Sequence, residues 1–177
     1  MLKKTVIIII PIILFLLQNS FFPAASSFFQ YINIILIYCI LLLIISNENF
    51  ALYNAVVLGF LMDIYSPELF GAYIISFTIA VFLAHVFLQQ FFTDKSIYTF
   101  IFLTVISTIF YQILYSGIIF SSSIITSQFS YYGFFSKNYF LNIIYSIITN
   151  VVFVSVIFYF INYFSTKLKS FLISVNR

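Results

Sequence analysis

Gly59-Phe60-Leu61-Met62-Asp63-Ile64-Tyr65-Ser66-Pro67-Glu68-Leu69-Phe70-Gly71 is the stretch where acids, a proline and glycines interrupt long apolar runs. Charged residues make up only 6% of the sequence, so two acids this close together stand out. Ending a helix and placing an acid at its end both cost free energy where lipid surrounds the chain. The stretch therefore reads as the functional centre and as the end of a short third hydrophobic segment.

Working outward, the composition decides the class. Of 177 residues, 64% are hydrophobic, and the mean hydropathy is +1.19. A water-soluble domain of this size cannot bury so much apolar surface, whereas a membrane protein needs it on its outside. The chain reads as an all-α integral membrane protein, with one transmembrane domain over 1–177 and no stretch polar enough for a second, soluble domain. The net charge of +3 collects at Lys3, Lys4, Lys167, Lys169 and Arg177. That is the placement of topology signals, and no nucleic-acid partner is expected. Cys39 is the only cysteine, which excludes a disulfide framework or a cysteine metal site.

Six apolar segments follow one another. Lys3-Lys4 precede the first, over 5–22, which Pro23 ends. A secretory signal shares this pattern, but a run of about 17 to 18 residues suits an uncleaved span. The second covers 28–45, with Asn33 as an interfacial hydrogen bonder, and Ser46-Asn47-Glu48-Asn49 makes a polar turn. The third, 50–66, reaches Asp63 after about 21 Å of helix and Ser66 after about 25 Å, against a hydrocarbon core of about 30 Å. It is short or broken near Asp63-Pro67, because Pro67 removes a donor and restricts the residue before it. The fourth covers 70–90, with His85 near its end as an interfacial hydrogen bonder. The fifth, 97–120, follows an Asp94-Lys95 turn. The sixth, 138–164, follows a Ser- and Tyr-rich loop over 121–132. Positive ends on both sides of the chain place both termini in the cytoplasm, which requires an even number of crossings. The expected architecture is a compact bundle of six transmembrane helices in which the third segment crosses.

Ala51, Ala55 and Gly59 recur every four residues and Asp63 continues the series. Ser76, Ala80 and Ala84 do the same on the fourth segment. Small side chains at that spacing let two helices approach closely, so these seams are expected to pack on each other. Thr104, Thr108, Tyr111, Gln112 and Tyr115 make a polar face on the fifth segment. Asn142, Ser146, Thr149 and Asn150 make one on the sixth. Uncharged polar stripes of this kind are interhelical glue.

Catalysis needs a constellation that is missing here. Glu48, Asp63, Glu68 and Asp94 are the only acids and His85 the only imidazole. No metal-site, phosphate-loop or nucleophile-elbow motif accompanies them, so neither an enzyme nor a cofactor is expected. Asp63 has two readings: its carboxylate bonds free backbone donors beside the break, or it binds a partner's basic or polar group or a small solute.

At Gly59, Asp63 and Gly71 the sequence resembles the rod shape-determining MreD family, whose mark is a Gly-x-x-x-Asp closing a short third segment and a further Gly opening the next span. The order of segments and the basic ends resemble that family too. Where members open the second span with Pro-Asp, this chain reads Phe29-Gln30-Tyr31-Ile32-Asn33. The resemblance implies a non-enzymatic component of the bacterial cell-elongation machinery in the cytoplasmic membrane. It further implies binding to a single-span MreC-like scaffold and linkage to an actin-like filament protein and to the peptidoglycan polymerase and transpeptidase. The alternative is a substrate-binding membrane subunit of a vitamin-type transporter. A pocket lined by the fifth and sixth segments would favour transport; a lipid-facing groove around Asp63 would favour the scaffold.

Overall fold

The computed structural model describes residues 2–25, 28–92, 96–125 and 137–175, with side chains over 9–25, 28–92, 96–122 and 139–160. Among these residues every regular element is helical. The first rod is continuous: α1 (Leu2–Leu16) passes through a π turn (Leu17–Phe21) into α2 (Phe22–Ala25). Pro23 therefore does not end it. A proline ring presses on the carbonyl four residues back, here that of Asn19, and the widened turn that contains Asn19 makes room for it.

After a 3-10 turn (Phe29–Tyr31) comes α3 (Ile34–Ile45), then α4 (Glu48–Tyr65), α5 (Ala72–Phe91), α6 (Ile97–Ile125) and α7 (Lys137–Val175). The last of these continues beyond 164, where the sixth segment is expected to end, as far as Val175. Consecutive helices pack on one another, α4 on α5, α5 on α6 and α6 on α7, while α3 touches α1, α4, α5, α6 and α7. Ile35, Leu36, Cys39 and Ile40 of α3 are fully buried, so this short helix is the centre of the core. Three stretches are long and apolar enough to cross a membrane: Ala72–Phe91, Ile97–Ser122 and Tyr139–Phe160. The first rod and α3 are apolar but shorter. α4 has 18 residues but carries Glu48, Asn54 and Asp63. The Asp94-Lys95 turn, most of the Ser- and Tyr-rich loop and the side chains of the terminal lysines lie outside the described residues.

The second segment departs from expectation. Instead of one span over 28–45, it breaks at Ile32 and Asn33, leaving α3 with 12 residues, about 18 Å of helix. Such a break survives in an apolar setting only if its backbone groups find partners, and they do. Gln18, in the π turn, donates to Ile32 C=O (2.9 Å) and accepts from Ile34 N–H (2.9 Å). Asn150 of α7 accepts from Asn33 N–H (2.9 Å), and the Asn33 side chain caps α3 by accepting from Leu36 N–H (3.1 Å). Replacing Gln18 by leucine strands one donor and one acceptor, at about 1 to 3 kcal/mol each. We expect Gln18→Leu to lower stability to unfolding in mixed micelles by a comparable sum, and an unchanged unfolding curve would show that Gln18 does not hold the break.

The polar faces of α6 and α7 meet as their spacing predicts. Gln112 donates to the Ser146 hydroxyl (3.1 Å), the Asn150 amide to Thr108 Oγ1 (3.1 Å), and the Ser116 and Tyr139 hydroxyls bond at 2.8 Å. Such bonds contribute about 0.6 to 2 kcal/mol each in a membrane, enough to fix which helices are neighbours.

Candidate functional site

α4 ends where Pro67 forces the residue before it out of helical backbone: Ser66 is extended, at φ −80° and ψ 140°. Ser66 still donates to Met62 C=O (2.9 Å), and its hydroxyl accepts from Glu68 N–H (3.2 Å). A tight turn then runs from Leu69 to Ala72, closed by Ala72 N–H to Leu69 C=O at 3.1 Å. Its third residue, Gly71, sits at φ 97° and ψ −12°, a left-handed conformation that glycine adopts without a steric cost.

Glycine at the start of α5 leaves that helix without a side-chain cap of its own. Asp63 supplies one from the preceding helix. Its two carboxylate oxygens accept from Tyr73 N–H (2.9 Å) and Ile74 N–H (3.1 Å). With Ile75 N–H bonded to Gly71 C=O (3.0 Å), the opening donors of α5 from Ala72 to Ile75 are all accounted for. An acid in the last turn of α4 opposes that helix's own dipole, but here it meets the positive end of the next one, worth about 0.3 to 2 kcal/mol. Asp63 is only 4% exposed, so no lipid competes for it.

Gly59 makes this clasp possible. A Cβ added there would lie 2.8 Å from the Cα of Ile74 and 3.0 Å from its backbone nitrogen. The two backbones touch, and one turn later Asp63 reaches the donors. At the far end of the same antiparallel pair, Glu48 of α4 pairs with His85 of α5. His85 thus has a side-chain partner within the chain and is not only an interfacial group. Between these ends Ala51, Ala55, Ser76, Ala80 and Ala84 are completely buried. The small-residue seams are consumed inside the molecule.

The clasp also reaches α6. Tyr73, whose N–H Asp63 holds, packs its ring 4.7 Å from that of Tyr115, and the Tyr115 hydroxyl donates to the Tyr73 hydroxyl at 3.1 Å. One turn on, Phe77 stacks on Tyr111 at 4.7 Å. Beside the turn, an open groove of about 540 Å³ is lined by Leu69 and by α6 residues between Ile113 and Ser122. Pro67, Glu68, Leu69 and Phe70 of the turn are exposed. Among the described residues no three His, Cys, Asp or Glu side chains gather as a metal site would require.

The structure thus joins Gly59, Asp63 and Gly71 in one clasp and leaves Pro67 on the exposed turn. It adds a second clasp, of Gln18, Asn33 and Asn150. Its signal in the sequence is three amides inside apolar runs, each costly unless it serves another segment's backbone. A family model described as rod shape-determining protein MreD matches residues 2–164. Neither the curated proteins nor the solved structures provide a match.

Proposed function

Because the chain belongs to the MreD family of rod shape-determining proteins, we propose that it is a non-enzymatic membrane scaffold of the bacterial cell-elongation machinery. In this role it holds a single-span MreC-like protein in the cytoplasmic membrane and supports peptidoglycan synthesis. The observation that carries this reading is how Asp63 is used. Both oxygens of the acid in the family motif are bound to backbone donors, so the motif builds a fixed shape and keeps no free group for chemistry. A fixed shape is what a docking partner needs. We place six crossings in the membrane with both termini cytoplasmic, α3 being too short alone and completed by the turn before it.

Transport is the weaker reading. The groove beside the turn is open, its lining comes from Leu69 and α6, and no described residue of α7 contributes to it. A vitamin pocket would instead be enclosed and carry convergent polar groups.

The test is complementation with retrieval of the partner. Removing the chain from a rod-shaped host should give round cells, the wild-type chain should restore rods, and purification in mild detergent should bring the single-span partner with it. Rods that persist without the chain, or a wild-type chain recovered alone, would refute the scaffold reading. Orientation is checked in the same cells by labelling a Glu68→Cys variant from outside, because the native Cys39 is fully buried. Labelling only after the membrane is opened would reverse the assigned topology.

A further inference from the structure

We propose that the groove along α6 seats one transmembrane helix of the partner, with a basic residue at the end of that helix level with the 66–71 turn. This rests on the scaffold reading and assigns its contact surface. The lining residues of α6 form two parallel rows at four-residue spacing, Ile113-Gly117-Ser121 and Leu114-Ile118-Ser122, with Leu69 closing one side. Such rows are the ridges between which a second helix lays its own ridge. The first row is sunk in its middle. Gly117 has no side chain, and a Cβ added there would meet nothing within 4 Å. Gly117 and Ser121 are four apart, the spacing that lets another helix approach closely. From residue 113 to 121 the floor runs about 12 Å, roughly two helical turns.

The rim supplies the charge. Glu68 is exposed beside Leu69, and among the described residues its carboxylate has no hydrogen-bond or ion-pair partner. An exposed acid beside an apolar groove repels anionic lipid headgroups and attracts a Lys or Arg at the end of a membrane helix, whose long stem reaches the interface.

The experiment co-expresses the full chain with the single-span partner and measures partner recovered in mild detergent. Gly117→Leu fills the floor from a position where an added Cβ meets nothing within 4 Å, and should lower recovery about tenfold. Glu68→Lys should lower it about threefold to tenfold, and reversing the basic residue on the partner's helix to Glu should restore it. As a second measurement, a photo-crosslinking residue at Ile113 should capture the partner, whereas one at Ile148, exposed on α7, should not. Partner held by the wild type and equally by both variants would overturn the groove assignment and leave the scaffold reading standing. A crosslink from position 113 only to phospholipid, or only to a second copy of this chain, would also overturn it. A wild-type chain that retains no partner would overturn both.

Discussion

Asp63→Ala is expected to cost the chain about 2 to 6 kcal/mol of stability, because two buried backbone donors lose their acceptors at about 1 to 3 kcal/mol each. The donors are Tyr73 N–H and Ile74 N–H, and the remaining bonds of the turn do not reach them. Asp63→Asn keeps one accepting oxygen and turns an amide donor toward the other N–H, so it should fall between wild type and alanine. Unfolding of the purified protein in mixed micelles checks both. A purely partner-facing acid would give an alanine variant that unfolds like the wild type and fails only in the cell. The expectation here is the reverse order: instability first, and loss of rod shape as its result.

Gly59→Ala should also destabilise the chain, although it adds a single methyl group. The new Cβ would stand 2.8 Å from backbone, not from a side chain that could swing aside, and overpacking of this kind costs about 1 to 3 kcal/mol. Alanine's better helix propensity offsets at most about 1 kcal/mol. Moving α5 away also lengthens the bonds to Asp63, so Gly59→Ala and Asp63→Ala should destabilise less together than the sum of their separate effects. Gly117→Ala is the control with the opposite sign. Nothing lies within 4 Å of its added Cβ, and it should be neutral or stabilise by up to about 1 kcal/mol. Equal effects at the two glycines would mean that helix propensity, and not the α4–α5 contact, sets the cost.

Much of this was legible in the sequence, because the strongest signals are local. The four-residue spacing of Ala51, Ala55, Gly59 and Asp63 marked a packing face, and Pro67 marked where α4 must stop. The polar faces of α6 and α7 were likewise visible as periodicity. The pairing of Glu48 with His85 was not, since nothing local to either residue says that α4 and α5 lie antiparallel in that register. The break at Ile32 and Asn33 was missed for the same reason. No proline or glycine punctuates it, and Phe28 to Ile45 is apolar enough to read as one helix. What bends it is the supply of partners from Gln18 and Asn150, and a residue 117 positions away is invisible to any window along the chain. Helix length alone does not give the number of crossings: three helices are long and apolar enough to span, while the first rod and the buried α3 are apolar but shorter.

That distant partner gives the chain a clock. Asn33 sits in the second segment, but the amide that accepts its N–H is made 117 residues later. At about 5 to 20 residues per second of synthesis, the bend waits on the order of ten seconds with Gln18 and the Asn33 cap, but not Asn150, to hold it. The mature shape is therefore locked last, when the final helix arrives from the ribosome.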